Sequence, residues 1–196
     1  MWPTTPPESL HVHRLASRYL IPAALVMLAY GLAMVATFAL LMPLQLKVLP
    51  EYANHASLLF LPHGVRVLTA WLYRWRSVIL LLPASLAGHV YLDGFDFALS
   101  ELLASLAGVV CAVMVFEALL RLGVDLYPAK GKRVHWLELA LVGGLASIIN
   151  GIGTALFYGN DLTTASARFL GDVTGVVASL FLLVVFVRFA ERLARA

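Results

Sequence analysis

Residues 19–42 read YLIPAALVMLAYGLAMVATFALLM, 24 positions without a single charge. As a helix, a run of that length spans about 30 Å of hydrocarbon, and it is longer than the apolar centre of a cleavable secretory signal. Before it come Met1–Ser9, with Pro3, Pro6 and Pro7 and no basic residue, and then the basic stretch His11–Arg18. The run is therefore expected to stay in the protein as membrane helix 1, closed by Pro43. The rest of the chain has the same character. Of 196 residues, 61% are hydrophobic and 13% charged, where a soluble domain runs at about 45–50% and 25%. Mean hydropathy is +0.88. An ordinary water-soluble enzyme is excluded. A lone cysteine, Cys111, also excludes a disulfide framework and a multi-cysteine metal site.

Five further apolar spans follow: Ser57–Tyr73, interrupted by Pro62; Ser77–Tyr91; Phe97–Leu122; Val134–Tyr158; and Ala165–Val187. The second and third are 17 and 15 residues long, short enough to be either a re-entrant hairpin or two tilted crossings. Charge placement decides between them. With six crossings, Arg14, Arg18, Arg74, Arg76, Arg121, Lys130, Lys132, Arg133, Arg188, Arg192 and Arg195 share one side. Lys47 and Arg168 share the other with Glu51, Asp93, Asp96 and Asp161. That is a strong positive-inside bias. A hairpin entering from outside would instead bury Arg74 and Arg76 in lipid, which is costly.

The expected fold class is therefore all-α: a polytopic membrane bundle of about six transmembrane helices with both termini cytoplasmic. Residues 1–18 form an N-terminal cytoplasmic segment, 19–188 the transmembrane domain and 189–196 a short cytoplasmic tail. The expected location is a bacterial-type inner membrane. Lys130-Gly131-Lys132-Arg133 reads as a topology signal with headgroup contact, so the bilayer is the expected partner and nucleic acid is not. Trp71, Tyr73, Trp75 and Trp136 fall where aromatic residues anchor helices at the membrane interface.

Small residues recur every fourth position on two helices: Gly143, Ser147 and Gly151 on helix 5, and Gly171, Gly175 and Ser179 on helix 6. Such stripes let helix backbones approach closely in lipid, and the two are expected to face each other. Ionisable groups inside the spans carry more information, since each costs about 2.5–3.5 kcal/mol to insert at mid-membrane. His63 and Arg66 lie three apart on helix 2 and so project from a similar face. Asn150 and Asp172 lie at comparable depth in the outer halves of helices 5 and 6. The four are expected to converge on one polar site opening outward, with Arg66 paired to Asp172. That pair can be a ligand site, or simply a lock between helices 2 and 6. The break at Pro62 favours the site, because irregular backbone inside a membrane is tolerated where it is buried in protein or lines a cavity. Glu117 and Arg121 read as an (i, i+4) pair within helix 4. His63 has no second histidine or cysteine placed to share a metal, so neither metal nor cofactor is expected. No nucleophile–base set, phosphate-binding glycine loop or catalytic carboxylate pair appears, and the turn acids Asp93 and Asp96 suit their turn. An enzyme is not expected.

Leu61-Pro62-His63-Gly64-Val65-Arg66-Val67-Leu68, then an apolar run and Trp75-Arg76, resembles the opening of the membrane-associated sensor domain of the first (MASE) type. Ala167-Arg168-Phe169-Leu170-Gly171-Asp172-Val173-Thr174-Gly175-Val176 is similar to that family's aromatic-x-Gly-Asp-x-x-Gly element before its last helix. Helix 4, with Glu117-Ala118-Leu119-Leu120, and the small-residue-rich helix 5 come in the family's order. The resemblance covers Ser57–Arg188. It implies a sensory membrane module of the kind that precedes a cytoplasmic cyclase, phosphodiesterase or kinase domain, and Asp172 matches its motif directly. His63 and Arg66 stand where the family is more often apolar or small. Only nine residues follow Val187, so the expectation is a non-enzymatic module acting through a separate membrane or cytoplasmic partner protein. Two alternatives remain: an accessory subunit of a respiratory or photosynthetic membrane complex, and a small-solute carrier or its substrate-binding component. For a subunit, Leu180–Val187 with Phe181 and Phe186 is the candidate contact face. Against a carrier, helices 1–3 and 4–6 show no convincing repeat.

Overall fold

The computed structural model describes residues 19–49, 56–94, 98–158 and 162–195. The segment 1–18 with Arg14 and Arg18, together with Glu51, Asp96 and Asp161, lies outside the described residues, as does the side chain of Asp93. Among the described residues the chain is all helical: α1 (Ile21–Val48), α2 (Leu61–Tyr73), α3 (Arg76–Asp93), α4 (Leu99–Arg121), α5 (Trp136–Tyr158) and α6 (Leu162–Arg195). Four of these, α1, α4, α5 and α6, are long and apolar enough to cross a membrane.

Helix α1 does not stop at Pro43. It passes through that residue, preceded by a π-helical stretch, Ala36–Leu41. Proline lacks an N–H and its ring crowds the carbonyl four residues back. Widening the helix relieves both, and the Met42 amide bonds Thr37 O, five residues back, instead.

Helix α2 begins later than expected. Pro62 lies in its first turn, where a missing N–H costs nothing, and residues 57–60 precede it as non-helical chain. At its other end Arg74 takes a positive φ of 54°, uncommon for a residue with a side chain, and its amide donates to Ala70 O at 2.9 Å. Helix α6 also departs from expectation. Residues 189–195, expected as a tail, continue it to Arg195, because Phe189-Ala190-Glu191-Arg192-Leu193-Ala194-Arg195 holds no breaker and several strong helix formers. The other bounds shift by two or three residues at most, the ordinary fraying of helix ends.

Of the described helices, the shortest is the central one. α2 packs against α1, α3, α4, α5 and α6, and Leu61, Pro62, His63, Gly64, Arg66, Val67, Thr69 and Ala70 on it are buried. A helix shielded on every side by protein can carry polar residues that a lipid-facing one cannot. Apolar packing lies towards the basic end, where Val67 and Ala70 meet Cys111, Val115, Phe116, Val142, Ala146 and Val176. A second cluster joins α1 to α3 through Val26, Tyr30, Met34, Leu80, Leu81 and Ala84.

Candidate functional site

At the end of the bundle away from Arg74 and Lys132, a cavity of about 650 Å³ opens between the helix ends. Its wall includes Met42 of α1, His89 of α3, Glu101 of α4, Thr154 of α5 and Arg168 of α6, so these ends gather on one face. Deeper in, it reaches Arg66, Ser105, Asn150 and Asp172.

One wall is the non-helical chain 57–60, and the protein itself satisfies that backbone. The Leu58 amide donates to Gln45 Oε1 at 2.8 Å and the Phe60 amide to Gly171 O at 2.9 Å. Leu61 N–H reaches Thr37 Oγ1 at 3.3 Å, while the hydroxyls of Thr174 and Ser179 donate to Leu58 O and Leu61 O. Unwound backbone shielded from water is stable only when paired in this way.

The seat for this chain is the small-residue face of α6. A Cβ on Gly171 would stand 2.0 Å from Ser57 O, and one on Gly175 would stand 2.0 Å from Phe60 O. The expectation that the α6 stripe faces the α5 stripe is thus corrected: Gly171, Gly175 and Ser179 receive residues 57–64. Non-helical chain can turn its carbonyls into the groove, whereas a helix commits most of its own to internal bonds. On α5, Gly143 does meet α6, at Val176. A Cβ built on Gly151 would meet nothing within 4 Å, so no neighbour packs against the space its missing side chain leaves. Ser147 serves the polar site.

That site centres on Asp172, which is 4% exposed. Its Oδ2 accepts from Ser147 Oγ at 2.9 Å and Asn150 Nδ2 at 3.2 Å, and His63 Nδ1 stands 3.7 Å away. His63 is fully buried, with Nε2 3.1 Å from Gly143 O. A carbonyl only accepts, so Nε2 carries the proton and Nδ1 turns towards the carboxylate.

Arg66 is close by but is not the partner of Asp172. Among the described residues no ion pair within 4.0 Å joins them. Instead Arg66 Nη2 donates to Tyr30 Oη at 2.8 Å, and its Cζ lies 5.6 Å from the Tyr30 ring centroid and 5.7 Å from that of Phe60. The expected Arg66–Asp172 pair is corrected because hydroxyl and amide donors take up the aspartate while two rings hold the guanidinium. Gly108 makes room for Arg66: a Cβ there would be 2.8 Å from Nη1. Tyr30, Ser105 and Gly108 were not among the expected site residues, and Ser147, expected as a packing residue, belongs to the polar site. A tyrosine hydroxyl midway along the apolar helix 1 was the available signal for Tyr30.

The opposite end holds a second polar cluster. Glu117 Oε1 accepts from Tyr127 Oη at 2.7 Å and from Arg74 Nη2 at 3.1 Å, so the expected pair with Arg121 is replaced by contacts to another helix and a loop. The Arg74 guanidinium lies 4.3 Å from the Tyr127 ring centroid. Trp71 Nε1 donates to Leu126 O at 2.7 Å, tying α2 to the loop before α5, beyond its expected role as an interface anchor. In that loop the Tyr127 amide and Lys132 hold the Asp125 carboxyl below its usual range. Burial and the Glu117 hydrogen bond push the Tyr127 phenol up. These bonds put the α2–α3 turn and the α4–α5 loop at one end, opposite the cavity.

Compared with protein-family models, curated proteins and solved structures, the chain matches none of them.

Proposed function

We propose that this protein is a non-enzymatic membrane receptor module, which takes a small polar solute into the cavity from the outer face and signals to a partner protein at the basic end. The observation that carries this reading is the continuity of α6. Asp172 in the site and Arg192 and Arg195 at the far end belong to one helix of 34 residues. At 1.5 Å per residue that helix is about 50 Å long, against about 30 Å of hydrocarbon. A shift at Asp172 is thereby carried as rigid motion to a basic segment beyond the membrane.

The reading includes six crossings with the basic loops cytoplasmic, as in a bacterial inner membrane. Helix α2 alone is too short for a crossing. Its 13 residues rise about 20 Å, and the bent, non-helical residues 57–60 carry the chain on from its N-terminal end. The order of elements and the Gly171-Asp172 motif make the sensor family the nearest functional analogy. A second reading, an accessory subunit of a larger membrane assembly, draws on Phe181 and Phe186, which are 66% and 68% exposed on α6.

A spin label at Arg192→Cys tests the relay in nanodiscs. Asp172→Asn, which keeps an acceptor for Ser147, is expected to change the label's spectrum, while Glu138→Gln on the loop side leaves it unchanged. An unchanged spectrum in folded Asp172→Asn protein contradicts the relay.

A further inference from the structure

Arg66 is held in place without being used up. It is 7% exposed, permanently charged, wedged between two rings and given room by Gly108. Of its three nitrogens, only Nη2 meets a protein acceptor among the described residues, and that acceptor is the neutral Tyr30 hydroxyl. On the same cavity wall Ser105, 2% exposed, has a hydroxyl with no hydrogen-bond partner. The neighbouring acid, Asp172, is already supplied with donors by Ser147 and Asn150. Beyond the two rings, a buried cation gains most from an opposite charge with good hydrogen bonds, and a guanidinium fork matches a planar oxyanion best.

We propose that the cavity takes a small organic acid, whose carboxylate sits on Arg66 and the Ser105 hydroxyl and whose apolar part lies against Phe38, Phe60 and Met42. This deepens the receptor reading and rests on it. Glu101 and Asp172 offset Arg66 and Arg168 on the same wall, so the ligand is expected to carry a single negative charge. A cavity of about 650 Å³ is within the size range of sites for small metabolites.

The test uses the full chain in phosphatidylcholine nanodiscs with Thr154→Cys in the cavity wall. The rate of labelling by an impermeant maleimide is measured with millimolar acetate, hexanoate or benzoate, and with acetamide, hexanamide or benzamide. At least one acid is expected to slow labelling about threefold or more while its amide does not. Ser105→Ala should weaken that protection, and Arg66→Gln should weaken it by about tenfold or more, the scale of a charge-assisted hydrogen bond; Arg66→Lys should retain part of it. Where Arg66→Gln fails to fold, Ser105→Ala still decides. The proposal is overturned if no acid protects, if an amide protects equally, or if protection survives Ser105→Ala and Arg66→Gln unchanged. It is also overturned if only added phosphatidylglycerol protects, since the anion would then be a lipid headgroup. Acid protection with an unmoved Arg192 label would leave this site standing and remove the relay. A relay that responds to Asp172→Asn without acid protection would remove only the acid.

Discussion

Asp172 is accommodated inside the bundle because two neutral side chains donate to it, Ser147 and Asn150. The effect of a substitution there depends on whether an acceptor remains. Asp172→Asn keeps an amide oxygen for both donors and is expected to cost less than about 1 kcal/mol. Asp172→Ala strands two buried donors and is expected to cost about 2–4 kcal/mol. Unfolding by SDS titration in mixed micelles measures both; equal losses would mean that the hydrogen bonds do not hold this residue. His63, Arg66, Asn150 and Asp172 are legible in sequence as polar groups inside apolar runs. Their pairing is not, because spacing along one helix fixes depth and face but leaves its rotation towards the neighbours open. Tyr30 takes the Arg66 bond for that reason, and Arg74 reaches Glu117 by a turn whose positive φ nothing in the sequence announces.

At the scale of elements, the distinctive piece is chain 57–60 lying in the small-residue groove of α6. Gly175→Ala would set a methyl 2.0 Å from the Phe60 carbonyl, a backbone atom that cannot swing aside. A loss of more than about 2 kcal/mol is expected, in the range of core overpacking. Gly151→Ala faces open space and is expected to be neutral or to gain up to about 1 kcal/mol from helix propensity. Thermal unfolding in detergent compares the two, and a similar effect from both would contradict this packing. The stripes Gly143–Gly151 and Gly171–Ser179 announce close approach, but a stripe does not name what approaches. Pro62 was the clue to a backbone break. Its place in the first turn of α2 moved that break to residues 57–60, while Pro43 broke nothing because a π-helical stretch absorbed it.

For the whole molecule, the apolar runs and the distribution of basic residues carry most of the architecture. Helix order is readable because each run is bounded by charge or turn residues. Two things were not readable: that the shortest of the described helices is the central one, and that α6 continues unbroken to Arg195. Both depend on which surfaces the other helices cover. The central claim is a polar cavity open on the face opposite the basic loops. It is tested most directly by single-cysteine labelling in sealed vesicles of known orientation, with Cys111 fully buried and silent. An impermeant maleimide is expected to reach Thr154→Cys only from the outer face and Ala129→Cys, in the exposed α4–α5 loop, only from the inner face. Labelling of both from the same face, or of Thr154→Cys only after the vesicles are broken, would contradict it.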